Sequence, residues 1–344
     1  MEKGRVILVI LLILFVGAAF PVDANLAISF NYGDKLFSLY NKLDEKFFVG
    51  IDVGVCYKLD NFTFLGEVSA FNDNIYKDPF SDLYYFGFYI FMKDARVSFS
   101  LQNSQISFGK THLIDVIETP YSLFISSNSY SRNMFEYKYD DGKFLYTTRW
   151  IQLSNLLNTV NQYEKYRSAN YKVYATKFGG FRFGYQEVDV YVGKEFDFEY
   201  FANPIPGFFI QYLNAFGKPF SEGSGESNYI GGFFLDYQDN SKYLYAQILV
   251  DDANTNRILH PGDYSNPDKI AWSFGGSFNL EYGKLSLYHA GATKYTFQPS
   301  AEGGNQLYYG YTYFPYLTYN LGSTTMVFPP ELLYAGYKLS LIHI

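Results

Sequence analysis

The chain has 344 residues and a formal net charge of −7, from 27 basic and 34 acidic side chains. This acidic balance argues against nucleic acid as a partner, because nucleic-acid-binding surfaces carry an excess of Lys and Arg. Aromatic residues make up 21% of the chain, with 36 Tyr and 35 Phe, and the one cysteine, Cys56, excludes an internal disulfide bond.

The first 24 residues have the pattern of a secretory signal peptide. Lys3 and Arg5 precede an unbroken apolar run at 6–16, and small residues stand shortly before Asn25. The run is short for a helix that crosses a bilayer, which needs about 20 apolar residues. We therefore expect export, with cleavage after residue 24, rather than a retained membrane anchor.

A short helix is predicted in the N-terminal segment that follows, residues 25–47. Asp34 stands in the position of an N-cap, and apolar residues recur from Leu36 onward at intervals of three and four residues.

From residue 48 onward, apolar residues alternate with polar or small ones. Trp272, Phe274 and Phe278 stand at even positions, whereas Ser273 and Ser277 stand at odd ones. A strand with this pattern has one apolar face and one small, polar face. Several such strands behind a secretory leader favour a barrel with lipid outside and water inside over a soluble sandwich. The mean hydropathy of −0.12 is consistent with such a barrel, since only half of the residues in each strand would face lipid.

The predicted fold class is all-β: a transmembrane antiparallel β-barrel that forms one domain over residues 48–344. About 320 residues after cleavage, at roughly 20 per strand and connection, allow about 16–18 strands. Tight turns are indicated at 140–142, 238–240 and 281–283 by Asp, Asn or Gly. The clearest strands are predicted near 48–59, 62–71, 83–92, 94–103, 133–140, 143–151, 170–178, 181–191, 229–238, 242–251, 269–281 and 284–293.

The last six residues, 339–344, coincide with the translation, in one reading frame, of a transposase adaptor used in sequencing libraries. We hypothesise that they are not native and that the C-terminal end of the barrel is truncated. A natural short tail is the alternative.

Long irregular stretches are expected at 111–132, 152–169, 199–228, 252–268 and 294–306. The first of them contains Leu123, Phe124 and Ile125, which are too apolar to remain in water. So long a connection is usually functional in a compact domain. We predict that it packs inside the barrel and narrows the lumen.

The order of several segments resembles the Wzi-like capsule-assembly family of outer-membrane proteins. YSLFISSN at 121–128 and YAQILVDD at 245–252 are similar to two of its motifs. The chain departs from the family at 108–110, where its members carry Trp-Gly-Pro and this chain has Phe-Gly-Lys. The resemblance implies a large barrel, periplasmic helices and a role in holding surface polysaccharide at the cell exterior. Further similar segments lie at 106–110, 134–149, 201–209, 229–237, 269–274 and 293–297.

Polysaccharide recognition uses aromatic rings that stack on sugars, together with polar groups that bond to the sugar hydroxyls. Two of the long stretches supply both kinds of group, although chance proximity is the alternative in so aromatic a chain. The candidate ligand-binding residues are Tyr121, Asn128, Tyr130 and Arg132 in the first stretch, and Asn203, Gln211 and Tyr212 in the second.

Charged residues on otherwise polar strand faces are assigned to the lumen. An Arg or Lys that faces lipid near the bilayer midplane costs about 2–4 kcal/mol. Inside a lumen, opposite charges can pair across strands or select solutes. The residues predicted to face the lumen are Arg96, Glu136, Lys138, Lys172, Arg182 and Asp236.

Catalytic chemistry has little support in the sequence. The chain has four histidines and lacks a nucleophile elbow, an HExxH motif, a Cys/His cluster and a phosphate loop. Asp251 and Asp252 lack the repeated spacing of a calcium-binding loop and are assigned to a strand-end turn. We expect no enzymatic activity, no cofactor and no metal.

The sequence therefore predicts an outer-membrane β-barrel that binds or organises capsular or surface polysaccharide. A passive porin-type channel for small polar solutes is the alternative. The expected partners are outer-membrane lipid, surface polysaccharide and the barrel-insertion machinery, and no nucleic acid.

Overall fold

The computed structural model divides the chain into two compact units, Met1–His112 and Leu113–Ile344. The predicted helix at 34–46 and all but the last two residues of the predicted signal peptide lie outside the described residues. The structure describes residues 23–32, 47–72, 84–119, 121–125, 131–153, 167–192, 194–216, 227–252, 268–293, 296, 318–321, 324–327 and 338–343.

Antiparallel strands make up the described part of the first unit. They are paired in the order β1, β2, β3, β5, β6, and β4 forms a short hairpin with the start of β5. The strands are β1 (Asp23–Tyr32), β2 (Phe47–Leu59), β3 (Phe62–Phe71), β4 (Tyr84–Tyr85), β5 (Phe88–Leu101) and β6 (Ser104–Thr111).

Strand β1 lies where the sequence analysis places an N-terminal segment with a helix and no strand. Its residues pair with β2 along its whole length, from Asp23 opposite Cys56 to Tyr32 opposite Phe47. Apolar residues at 26, 28 and 30 alternate with small or polar ones, a period of two that suits a strand.

Strand β5 corrects the prediction of two separate strands at 83–92 and 94–103. The pairing of β5 with β3 passes through a bulge, because its register shifts between Met92 and Asp94. Lys93 is the extra residue, and its Nζ donates to Glu67 Oε1 over 2.6 Å. The chain turns only at Gln102, whose φ is +50°. A charged residue inside the strand thus marks a bulge rather than a strand end.

The second unit continues with eight consecutive antiparallel strands. They are β7 (Arg132–Asp140), β8 (Phe144–Gln152), β9 (Arg167–Phe178), β10 (Phe181–Val192), β11 (Ser227–Gln238), β12 (Lys242–Asp252), β13 (Lys269–Leu280) and β14 (Gly283–Ala292). The strands β15 (Thr318–Leu321) and β16 (Thr324–Val327) pair with each other, and β17 (Lys338–His343) pairs with β14.

Two short helices lie between β10 and β11, in a stretch predicted to be irregular. They are α1 (Phe198–Ala202) and α2 (Gly207–Phe216). Asp197 caps α1, because its Oδ1 accepts hydrogen bonds from the backbone N–H groups of Glu199 and Tyr200. In the residues that the structure describes, no helix has the length and apolar character needed to cross a membrane.

The predicted all-β, antiparallel class is confirmed by these pairings, and the predicted turns are in place. In the turn between β7 and β8, for example, Asp141 Oδ1 accepts hydrogen bonds from the N–H groups of Lys143 and Phe144. Gly142 has a φ of +83°, a conformation that favours glycine.

The two faces of the strands differ in the way that the alternation predicts. In β13, Ser273 is 1% exposed and Phe274 is 50% exposed. In the first unit, Ser98 and Ser107 are buried and share a hydrogen bond of 2.8 Å, whereas Phe108 is exposed. In each of these examples the serine is buried and the phenylalanine is exposed. In the second unit we call the side of Ser273 the polar face and the side of Phe274 the apolar face.

Candidate functional site

A segment without regular structure packs on the polar face of the second unit. We call residues 113–119 and 121–125 the interior segment. Its apolar side chains belong to one buried cluster with strand residues such as Ile151 and Val188. Leu123, Phe124 and Ile125 have no exposed surface, which agrees with the packing predicted for these three residues. The segment thus covers polar residues of the strands.

Asp115 organises the backbone of the interior segment. Its carboxylate accepts hydrogen bonds from the N–H groups of Ile117, Phe124 and Ile125, at 3.0–3.1 Å. Gln247 Nε2 on β12 also donates to it over 3.4 Å. Burial raises the pKa of Asp115 above its ordinary value, although these donors favour the charged form. One carboxylate therefore holds the two ends of the segment together.

Two arginines bind the interior segment from the strands below it. Arg149 on β8 pairs with Glu136 on β7, with Nε 2.6 Å from Oε2, and its Nη1 donates to the carbonyl of Ile114 over 3.2 Å. Arg149 thus joins the segment to the ion pair. The guanidinium also lies 5.5 Å from the centre of the Tyr171 ring.

Arg182 on β10, two strands from β8, makes a similar set of contacts. Its Nε and Nη2 bind both carboxylate oxygens of Asp236 on β11, and Nη2 donates to the carbonyl of Val116 over 2.8 Å. Bidentate pairs of this kind fix geometry as well as charge. The polar face thus carries two arginine–carboxylate pairs that also bind the interior segment.

Most of the residues predicted to face the lumen lie on a polar face. Glu136, Arg182 and Asp236 form the ion pairs described above, and Lys138 follows Glu136 on the same side of β7, opposite Thr147. Arg96 belongs to the first unit, where it pairs with Asp94 at 3.4 Å.

Lys172 is the exception and corrects the lumen assignment. It pairs across the strands with Thr148 and Glu187, whereas the polar-face residue Arg149 stands opposite its neighbour Tyr171. Lys172 therefore lies on the apolar face, where its Nζ donates to the carbonyl of Ile205. The segment that contains α1 and α2 covers this charge, which is therefore buried and lies away from the polar face.

The described residues among those predicted to bind a polysaccharide lie on both faces of the second unit. Tyr121 is buried in the interior segment and its ring lies 6.0 Å from that of Tyr288. Asn203, Gln211 and Tyr212 belong to the α1–α2 segment on the opposite face, where Gln211 Nε2 donates to the carbonyl of Ser227. Arg132 is half-buried at the start of β7, and Asn128 and Tyr130 lie outside the described residues.

Sequence reasoning missed Asp115, Arg149 and Gln247, which hold the interior segment. The available signal was Asp115 itself, a single charge in the apolar stretch 113–117. The partners of Asp115 are up to 132 residues away along the chain, so periodicity could not connect them. Within the described ranges, no group of three or more His, Cys, Asp or Glu side chains could hold a metal ion.

Comparison with known proteins gives structural similarities alone. No family model matches the chain, and no curated protein matches it. Salmonella typhi OmpF, solved in complex with daunomycin, is 10% identical with a TM-score of 0.48, over 82% of this chain and 80% of that one.

Two other similar structures are also porins. A mutant of the Rhodopseudomonas blastica porin is 9% identical with a TM-score of 0.42, over 79% of this chain and 84% of that one. Pseudomonas putida OprB at high pH is 12% identical with a TM-score of 0.39, over 78% of this chain and 73% of that one. The fold described here rests on this chain's own strand pairing.

Proposed function

We propose that this chain is an outer-membrane β-barrel that conducts small polar solutes past the interior segment. The observation that carries the proposal is the band of exposed apolar side chains on one face of the strands, opposite a face that carries buried serines and two arginine–carboxylate pairs. A water-soluble sheet packs its apolar face inward. A lipid-facing barrel does the reverse.

The exposed apolar side chains follow the apolar face from strand to strand. Phe178, Phe183, Phe233, Ile248 and Phe274 are each more than two-fifths exposed, on five successive strands from β9 to β13. Contiguous apolar surface on this scale marks a contact with membrane or protein. Export through the signal peptide at 1–24 would deliver the chain to that membrane.

A channel accounts for the polar face better than a polysaccharide platform does. On the polar face, two arginine–carboxylate pairs bind carbonyls of the interior segment. The candidate sugar-binding residues, by contrast, are divided between the two faces. A non-enzymatic solute channel is therefore the function we propose, and the Wzi-like role in surface polysaccharide is the alternative that the experiment distinguishes.

The test is single-channel conductance in planar bilayers, for the wild type and for a variant in which 118–130 is replaced by a short Gly-Ser linker. We expect the wild type to conduct weakly and the variant to conduct more, because the linker removes Leu123, Phe124 and Ile125 from the polar face. Folding of both proteins is checked by their migration on gels before and after heating.

One outcome would contradict the channel, and a second would contradict only the assigned role of the interior segment. Folded, inserted proteins that do not conduct in either form would favour the polysaccharide role, which is then tested by the amount of capsule that cells retain. A large wild-type conductance that the linker leaves unchanged would show that the interior segment does not limit the path.

A further inference from the structure

The segment at 194–216, which contains α1 and α2, lies across the apolar face of β7 to β11. We call it the helical strap. Its aromatic residues pack on that face: the rings of Phe201 and Phe135 stack at 4.8 Å, and those of Tyr200 and Tyr191 at 5.8 Å. The strap thus sits on the same side of the sheet as Phe183 and Phe233, and opposite the interior segment.

Under the strap, three polar strand residues of the apolar face donate hydrogen bonds to the strap's backbone. Thr148 Oγ1, Asn170 Nδ2 and Lys172 Nζ each donate over 2.9 Å, to the carbonyls of Phe201, Tyr200 and Ile205 respectively. These carbonyls belong to the end of α1 and the turn before α2, where helices leave backbone groups without internal partners. The strands supply the partners.

Backbone groups at the beginning of the strap and at the beginning of α2 also have hydrogen-bond partners on the strands. Trp150 Nε1 and Ser168 Oγ both donate to the carbonyl of Glu195 over 2.6 Å. The N–H of Gly207 donates to Glu187 Oε1 over 2.9 Å. Asp189 lies so close to Gly207 that any side chain at 207 would collide with its carboxylate.

The exposed side of α2 is apolar, whereas Lys194, Glu195 and Glu199 are exposed in the first part of the strap. Phe208, Phe209, Tyr212 and Leu213 are each between 45% and 55% exposed, while Ile210 packs inward. An exposed surface loop in water normally has the opposite arrangement, with its polar groups outside. Within the hydrocarbon region, non-helical backbone is tolerated only where it is buried in protein or lines a water-filled cavity. In the strap, α2 is therefore the part suited to contact with lipid, because it is a helix and its exposed side is apolar.

We infer that α2 of the helical strap is a lipid-contacting element, seated among acyl chains on the outside of the strands. This inference rests on the proposed membrane location of the chain. It adds a second kind of membrane contact, made by helices laid over strands, and it assigns a role to Lys172, Glu187 and Asn170. They are polar residues on a lipid-facing surface because they bind the backbone of the strap.

The experiment places nitroxide labels on single cysteines, in a Cys56→Ser background, after insertion into phosphatidylcholine vesicles. The labelled positions are Phe209 and Leu213 on the strap, Phe274 on the apolar face of β13, and Asn240 in the β11–β12 turn. The measurement compares collisions with oxygen, which partitions into lipid, with collisions with a water-soluble nickel complex. We expect the strap labels to match Phe274, with a several-fold higher oxygen-to-nickel ratio than Asn240.

Three other results are possible, and each leads to a different conclusion. Strap labels that resemble Asn240, while Phe274 remains in lipid, would overturn the inference and leave the proposed function intact. Strap labels shielded from both reagents would overturn it in favour of a second copy of the chain that covers the strap. A Phe274 label that is as accessible to nickel as Asn240 would instead refute the membrane location itself.

Discussion

At the scale of single residues, a charged side chain in this protein is explained by the backbone that it binds. Asp115 accepts hydrogen bonds from three N–H groups of the interior segment, and Lys172 donates to a carbonyl of the helical strap. Buried backbone groups without partners are destabilising, so these side chains make irregular segments possible on a packed sheet. Their positions are set by those segments as much as by the strands.

The variant Asp115→Asn tests the importance of the carboxylate. The amide retains one acceptor oxygen and points an NH2 group at backbone donors, and each buried group left unsatisfied costs about 1–3 kcal/mol. We expect the free energy of unfolding to fall by about 2–5 kcal/mol, measured by urea titration in lipid vesicles. Glu118→Gln is the matched control, because Glu118 lies in the same segment and is exposed. Equal losses in both variants would contradict the assigned role.

At the scale of the elements, alternation with a period of two decides which face of each strand is buried. It identifies the buried side of β13 correctly, since Ser273 is 1% and Phe274 is 50% exposed. It fails at Lys172, because β9 alternates in the opposite sense: Ser168, Asn170 and Lys172 lie on the apolar face, and Ala169, Val173 and Ala175 lie on the polar face. The sequence of β9 alone does not say which of its faces is covered by another segment. The helical strap settles that question, and it comes from a different part of the chain.

The apolar face is tested by Phe274→Arg, with Phe274→Leu as its control. If Phe274 faces lipid, arginine there should reduce the free energy of folding into vesicles by about 2–4 kcal/mol. The leucine variant should remain close to the wild type. Ser273→Arg is not a suitable comparison, because Ser273 is buried and its hydroxyl lies 3.0 Å from that of Tyr245. Full tolerance of arginine at position 274 would indicate that this face meets water.

At the scale of the whole molecule, the proposed channel depends on a balance of opposite charges along the polar face. Each arginine that binds the interior segment is paired with one carboxylate, Arg149 with Glu136 and Arg182 with Asp236. The pairs hold the segment and also set the field that a passing ion meets. A change in one carboxylate should therefore alter conduction without abolishing it.

Glu136→Gln removes one negative charge and leaves Arg149 with its carbonyl partner. We expect selectivity to shift toward anions, measured as the reversal potential across a bilayer with a KCl gradient. Glu281→Gln, in the exposed turn between β13 and β14, removes the same charge away from the polar face and should leave the reversal potential unchanged. An unchanged potential in both variants would argue that ions do not pass Glu136.

The sequence alone determined the all-β class, the turns and most strand positions, because turn chemistry and a period of two are local properties. It also indicated the packing of Leu123, Phe124 and Ile125, since three consecutive apolar residues avoid water. Only the tertiary structure decided that Asp115 meets Gln247, that Lys172 lies beneath the helical strap, and that Tyr121 and Tyr212 lie on opposite faces. These outcomes depend on contacts between distant parts of the chain, and each segment's own sequence is compatible with more than one of them.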